Sequence, residues 1–107
     1  MKKLTINEEI FLIAIWHLGD EAYGVNIRKK INDLENTNIL FGTLYNTLDY
    51  LVKKGYVSTR KGETTQQRGG NNKVYYSITK EGMKALQNAR ELQNKLWEDI
   101  PEYAFKK

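Results

Sequence analysis

Apolar residues recur at helical spacing in four segments of the chain, and the first of them begins at a capping pattern. In Thr5-Ile6-Asn7-Glu8, the threonine and the glutamate can each bond the other's backbone amide, which predicts a helix from there to about residue 18. Residues 10–16 are apolar all the way round this helix, whereas a small domain usually buries only one stripe. We therefore expect one face in the core and the other against a second subunit, with Trp16 in the core.

Two further helices are predicted on either side of a short polar turn. The second covers residues 23–34, with Ile27, Ile31 and Leu34 on one stripe. The third covers residues 41–54, where the leucines at 44, 48 and 51 have the spacing i, i+4, i+7. Lysines 53 and 54, followed by Gly55, form a helix-stop signal. Two helices joined in this way, the second with a polar outer face, form a helix-turn-helix.

A β-hairpin is predicted after these helices. Residues 56–61 and 73–78 are rich in strand-forming side chains. The polar tip between them contains one Gly-Gly pair and one Asn-Asn pair, both of which favour turns. Alternation places Val74, Tyr76 and Ile78 on the inward face and Tyr75 outward. This hairpin would be the wing of a winged helix, with Arg68 at its tip.

The last predicted helix covers residues 80–99, capped by Thr79 and ended by Pro101. Its near-heptad apolar spacing indicates a helix-to-helix interface, although cover for the first helix within the same chain would need the same pattern. We expect dimerisation. The predicted interface residues are Phe11, Ile15, Leu86, Ala89, Leu92, Leu96, Trp97 and Ile100.

The predicted fold is therefore mainly α with a small β-hairpin: a winged helix-turn-helix, residues 1–79, followed by one C-terminal dimerisation helix and a short tail, residues 80–107. A chain of 107 residues is long enough for one domain. The N-terminus reaches acidic residues before any apolar run and no apolar run could cross a bilayer, so we expect a cytoplasmic protein acting at the nucleoid, without a membrane partner.

The positive charge is concentrated in one part of the chain. Residues 53–80 contain seven cations and one acid, a net charge of +6, whereas the rest of the chain has a net charge of −2. A localised excess of this kind indicates a polyanion binder. The alternative is a solvated lysine-rich hairpin that resists edge-to-edge aggregation.

Short polar groups on the outer face of the third helix suit base reading in double-stranded DNA, and the cations suit phosphates. The predicted base-reading residues are Thr43, Asn46, Thr47 and Tyr50, and the predicted phosphate contacts are Lys53, Lys54, Arg60, Lys61, Arg68 and Lys73. Two alternatives stay open: a protein-interaction module, which would favour acids on the third helix, and a non-specific nucleic-acid binder, which would favour Lys and Arg there.

Catalytic and metal chemistry is not indicated. The chain has no cysteine, and its only histidine, His17, has no partner of metal-ligand spacing. No Gly-rich phosphate loop or nucleophile elbow is present. We predict a non-enzyme without metal or cofactor.

These motifs together resemble the PadR-like transcriptional regulators. The resemblance covers nearly the whole chain and is carried by Tyr23-Gly24, by Gly42-Thr43-Leu44-Tyr45, by Lys54-Gly55-Tyr56-Val57 and by Tyr75-Tyr76-Ser77-Ile78-Thr79 with Glu81-Gly82. It implies a homodimeric repressor that binds a pseudo-palindromic operator through two recognition helices and two wings. It also implies that the Tyr45 hydroxyl reaches a backbone phosphate and that Tyr75 belongs to the wing.

The single C-terminal helix resembles the short subgroup of that family. The resemblance implies that any effector binds at the dimer interface, where Trp97 would stack a planar aromatic small molecule. The alternative is that Trp97 only fills the interface, packed against Phe11 or Trp16 of the other subunit.

Overall fold

Four helices and one hairpin follow each other in the computed structural model, which describes residues 3–62 and 73–106. They are α1 (Ile6–Leu18), α2 (Gly24–Glu35), α3 (Phe41–Lys53), β1 (Val57–Lys61), β2 (Val74–Ile78) and α4 (Lys80–Trp97), with short 3-10 turns at Gly19–Glu21 and Glu102–Phe105. The predicted fold class is confirmed: a mainly helical chain with a winged helix-turn-helix and a C-terminal helix. Arg68 lies outside the described residues.

The start of α1 is closed by the predicted capping box. The Glu8 amide donates to Thr5 Oγ1 at 3.1 Å, and the Thr5 amide donates to Glu8 Oε1 at 2.7 Å. Both bonds satisfy amides that have no partner within the helix.

Helix α1 packs into the core of its own subunit with the face that was expected to meet a second subunit. Phe11 and Ile15, expected in the dimer interface, are 1% and 2% exposed and are buried by their own subunit. The outward positions are Ile13, 38% exposed, and Trp16, 61% exposed. Ile13 and Trp16 are therefore exposed apolar residues of α1 that a second subunit could cover, and the expectation that Trp16 is a core residue is wrong. Because every position from 10 to 16 is apolar, the sequence contained no contrast from which to orient the helix.

The turn between α2 and α3 is fixed by two side chains of α2. Arg28 donates from Nε to the Ile39 carbonyl at 2.7 Å, and Asn32 Oδ1 accepts the Ile39 amide at 2.9 Å. Ile27 and Ile31 are buried as predicted, but Leu34 is 52% exposed. Leu34 lies one turn further along α2, at the end of the helix, where the described part of the chain leaves it exposed.

The hairpin pairs β1 with β2 in antiparallel register, from Val57 opposite Ile78 to Lys61 opposite Val74. Its outer edge is extended by the segment before α2, where the Tyr76 amide donates to the Ala22 carbonyl at 2.8 Å. Tyr76 is buried as predicted, whereas Val74 is 39% exposed because it stands at the open end of the strand. The hairpin is therefore attached to the helical core along its length but not at its tip end.

Helix α4 begins in the core and ends outside it. The Thr79 hydroxyl donates to the Gly55 carbonyl at 2.6 Å and accepts the Gly82 amide at 3.0 Å, which joins the end of α3 to the start of α4. Gly82 and Ala85 are buried. Leu96 and Trp97, by contrast, are 59% and 52% exposed.

Candidate nucleic-acid interface

The outer face of α3 carries the polar side chains that the sequence placed there. Thr43 and Asn46 are exposed, Tyr50 is 44% exposed, and Thr47 is half-buried. The inner face consists of Leu44, Leu48 and Leu51, all fully buried. Packing of the leucine stripe therefore presents the opposite face to solvent, with Thr47 at its margin.

Tyr45 connects the start of α2 with α3. A Cβ atom on Gly24 would overlap with the Tyr45 hydroxyl and would lie 2.8 Å from its Cζ. The ring therefore lies directly against the first residue of α2, and only glycine leaves room for it. Tyr45 is nevertheless 42% exposed, so part of its side chain faces solvent. The Tyr-Gly and Gly-Thr-Leu-Tyr motifs are thus two halves of one contact.

The cationic end of α3 lies beside two aromatic rings. Lys53 is exposed, whereas Lys54 is half-buried, with its Nζ 5.3 Å from the ring centroid of Tyr50 and 5.5 Å from that of Tyr56. A cation over an aromatic face is attracted by the ring quadrupole. Lys54 is therefore held near the outer face of α3.

The open end of the hairpin carries a cluster of two cations and two tyrosines. The guanidinium carbon of Arg60 lies 4.4 Å from the Tyr75 ring centroid, and Lys73 Nζ lies 4.2 Å from that of Tyr23. The two tyrosine rings meet edge to face at 5.6 Å. Both charges remain exposed, as does Lys61. Two of the predicted phosphate contacts, Arg60 and Lys73, thus belong to one cluster.

Tyr76 is the titratable group whose environment is most altered among the described residues. Burial raises the pKa of its phenol, and the negative charges of Asp49 and of ionised Tyr45 raise it further. Tyr76 therefore stays neutral under α3, below the face that carries Asp49.

Arg28 and Phe41 form a contact that the sequence reasoning missed. The guanidinium carbon of Arg28 lies 4.4 Å from the ring centroid of Phe41, which stacks on Tyr45 with a centroid distance of 6.4 Å. Arg28 and Phe41 are thirteen positions apart on different helices, so no local periodicity relates them. The one available signal was an aromatic residue at the start of a helix whose outer face is otherwise polar.

A groove of about 710 Å³ lies between α1 and α4. Ile13, Trp16, Met83, Leu86 and Arg90 contribute to its walls. Trp97 does not line it. Trp97 donates from Nε1 to Gln93 Oε1 at 3.2 Å and packs against the ring of Phe105 at 5.7 Å.

The part of the chain that the structure describes contains neither a metal-binding cluster nor a membrane-spanning helix. Residues 3–62 and 73–106 contain no group of three or more His, Cys, Asp or Glu side chains able to hold a metal ion. In the same ranges, no helix combines the length and the apolarity that crossing a bilayer requires.

Comparison with known proteins decides the family. The Transcriptional regulator PadR-like family matches residues 13–88, from the second half of α1 to the first half of α4. The chain belongs to the PadR-like family. It is a winged-helix, DNA-binding transcriptional regulator, and this class of protein acts by binding DNA rather than by catalysis. No curated protein sequence matches the chain.

Solved structures similar to this PadR-like regulator agree with the family assignment. A transcriptional regulator from Clostridium thermocellum is 29% identical, with a TM-score of 0.69 over 94% of this chain and 92% of that one. A PadR-like transcription factor from Bacteroides fragilis is 25% identical, with a TM-score of 0.75 over 89% and 86%. A winged-helix DNA-binding protein from STIV is also 25% identical, with a TM-score of 0.64 over 89% and 95%.

Proposed function

We propose that this PadR-like regulator is a homodimeric repressor that inserts α3 of each subunit into the major groove of a pseudo-palindromic operator. The observation that carries the proposal is the exposed polar face of α3, which includes Thr43 and Asn46, together with the exposed cations at the open end of the hairpin. An asparagine side chain pairs with adenine in the major groove, and threonine methyls favour thymine.

Affinity would come from phosphate contacts around that face. Lys53 and Lys61 are free to reach a backbone, and Arg60 and Lys73 are held by tyrosine rings with their charge exposed. Because phosphate contacts release counterions, binding would weaken steeply as salt rises. Tyr45 would add its hydroxyl, and Tyr75 would support the cations. Arg68, which lies outside the described residues, would be a further phosphate contact.

Dimerisation is supported by apolar side chains that one subunit leaves uncovered. On α1 these are Ile13 and Trp16, and the α4 side contributes Leu96, Trp97 and Ile100, which are 59%, 52% and 46% exposed. Large apolar side chains exposed in this number on two elements favour an interaction site. We propose that a second copy covers it and places the two α3 helices about 34 Å apart, one turn of DNA. Leu86, Ala89 and Leu92, all half-buried, would continue the interface.

Release of the operator by a planar aromatic effector is the finer part of the proposal. The groove between α1 and α4 has an apolar wall that includes Trp16, and Trp97 stands half-exposed further along α4. In the dimer, Trp97 would stack the effector, with Trp16 as a second aromatic surface. Tryptophan fluorescence quenching by planar aromatic compounds, lost in Trp97→Ala, tests this part separately.

The main test is a fluorescence-anisotropy titration with DNA from upstream of the protein's own gene and with a scrambled duplex, over a salt series. We expect at least about 10³-fold preference for one sequence and a steep fall in affinity with salt. Asn46→Ala should lose about 1–3 kcal/mol of discrimination at unchanged salt slope. Lys53→Ala should instead lower the slope by about one. Asn94→Ala, an exposed asparagine on α4, is the matched control and should change neither quantity.

Three results would contradict the proposal or a part of it. Weak binding that is equal for both duplexes, and for any duplex selected from a random pool, would indicate a non-specific nucleic-acid binder. Absence of binding even at low salt would favour the protein-interaction module. A molar mass that corresponds to a monomer at all concentrations would remove the dimeric part.

A further inference from the structure

Two large apolar side chains are exposed side by side at the start of α3. Leu40 is 73% exposed and Phe41 is 47% exposed. Leu40 is the N-cap residue and makes no side-chain capping bond, at a position where Ser, Thr, Asp or Asn would stabilise the helix. The chain therefore gives up a cap and exposes apolar surface at the same place. Departures from local rules of this kind concentrate at functional sites.

The backbone that leads into these two residues is held in place. The Ile39 amide and carbonyl are both bonded by side chains of α2, at 2.9 Å and 2.7 Å. Arg28 also donates from its terminal guanidinium nitrogen to Asn38 Oδ1 at 2.8 Å. The position of Leu40 and Phe41 relative to α2 is thus set before any partner binds.

The ring of Phe41 is restrained as well. Arg28 lies over it at 4.4 Å, and Tyr45 stacks beside it with an angle of 19° between the ring planes. Tyr45 is in turn packed against Gly24. A side chain that is already ordered loses less conformational entropy on binding, so the same contact gives more affinity.

We propose that Phe41, assisted by Leu40, reads the C5-methyl group of a thymine in the major groove and thereby determines part of the operator sequence. The inference rests on the proposed function. It adds a base-reading residue whose side chain has no hydrogen-bonding group. Thymine is the base that presents a methyl group in that groove, and apolar side chains recognise it by contact. The first residues of a recognition helix are those that reach base edges.

Charge favours DNA over a protein as the partner of this apolar surface. Arg28 places a guanidinium against the Phe41 ring, and the cations at the end of α3 and on the hairpin flank the same outer face. A polyanion that carries apolar groups between its charges fits this combination. Phosphates would meet the cations while the methyl group meets the ring.

The test begins with a duplex that the wild-type protein selects from a random 30-base-pair pool, about three turns of DNA. Each thymine is then replaced singly by deoxyuridine, which pairs identically and lacks only the methyl group. We expect one thymine per half-site at which the replacement weakens binding roughly fourfold, because the burial of one methyl carbon is lost. Replacement in both half-sites should weaken binding roughly fifteenfold.

A Phe41→Ala variant assigns that methyl to the ring. On the deoxyuridine duplex, the affinity of the variant should equal that of the wild type. The variant should also bind the thymine duplex no more tightly than the deoxyuridine duplex. Tyr103→Ala is the matched control, because Tyr103 is 74% exposed on the turn after α4. It should keep the full preference for thymine. Thermal melts of both variants verify folding, and the wild-type deoxyuridine series needs no variant.

The outcomes are distinct. Equal affinity for thymine and deoxyuridine at every position overturns the inference and leaves the operator proposal intact. A thymine preference that persists unchanged in Phe41→Ala overturns the role of Phe41. Loss of affinity in Phe41→Ala that is equal on both duplexes also contradicts it, since the ring would then act only through the fold. A random pool that yields no enriched sequence overturns the proposed function and this inference together.

Discussion

Helices α3 and α4 have similar patterns of apolar residues but meet different fates in the structure. On α3, Leu44, Leu48 and Leu51 are fully buried within one subunit. On α4, burial ends in the first turns, and Leu96 and Trp97 are more than half exposed. Periodicity thus indicates that a face will be covered, but not which chain covers it.

The two helices differ in what lies next to them rather than in composition. Helix α3 is followed at once by the hairpin, and its inner face meets α1, α2 and β1. Helix α4 follows the hairpin with no later helix of comparable length among the described residues to pack against its outer half. The apolar side chains on the outer half of α4 extend beyond the core of their own subunit. Their need for cover is the physical basis for the proposed dimer.

The largest effect on the free energy of unfolding is expected from truncating a buried leucine of α3. Leu48→Ala should cost about 2–5 kcal/mol in the free energy of unfolding, because it opens a cavity in a buried core. The loss should be the same at every protein concentration. Urea denaturation measured at several concentrations provides the check.

Leu96→Ala is the matched change on α4. Within one subunit it should alter the free energy of unfolding by less than about 0.5 kcal/mol, since the side chain is mostly exposed. In the dimer it should weaken association, so its effect on the melting temperature should grow with protein concentration. If light scattering gave the same molar mass as the wild type at all concentrations, and the melts also coincided, the outer half of α4 would not be an interface.

A smaller effect is expected at the start of α4, which belongs to the core. A Cβ atom on Gly82 would overlap with the Tyr56 carbonyl and lie 2.8 Å from Ile78 Cγ2. Because a backbone carbonyl cannot rotate away, Gly82→Ala should destabilise the fold by about 1–3 kcal/mol.

Gly42→Ala at the start of α3 is the control for that substitution. Nothing lies within 4 Å of its added Cβ, so the change should stabilise the helix by about 0.5–1 kcal/mol. Thermal melts of the two variants should therefore shift in opposite directions. Equal shifts would show that the start of α4 is no more constrained than the start of α3.

The difference between the helices also explains how far the sequence could predict the structure. Local signals sufficed where the deciding partner was a few residues away: Thr5 with Glu8, the leucine stripe of α3, and Thr79 as a cap. Spacing along α3 likewise placed Thr43 and Asn46 outward. Each of these depends on a periodicity or a pair within one element.

Contacts between elements could not be predicted in this way. The Tyr45 ring over Gly24 and the Arg28 guanidinium over Phe41 join residues 21 and 13 positions apart. Helix α1 failed for another reason, since uniform apolarity gives no face to choose. Phe11 was consequently assigned to a second subunit although its own subunit buries it.

The smallest expected effect compares a tyrosine beneath α3 with one beyond α4. Burial, assisted by the charge of Asp49 and ionised Tyr45, raises the pKa of Tyr76 above its ordinary value of 10.0 in the folded protein. The unfolded chain therefore loses that proton first as pH rises. By linkage, the stabilisation is fully present below pH 10 and is lost as the pH increases through 10 toward the folded-state pKa. Tyr76→Phe removes the ionisable group, so its stability should fall less than that of the wild type across this range.

Tyr103→Phe, on the exposed segment after α4, is the control and should follow the wild-type curve. Melting temperatures measured from pH 8 to 11 make the comparison, because each variant removes one phenol and leaves the other titratable groups of the chain in place. If Tyr76→Phe and Tyr103→Phe gave parallel curves, the phenol of Tyr76 would not be held neutral by its place under α3. The two helices would then differ in apolar burial alone and not in electrostatic environment.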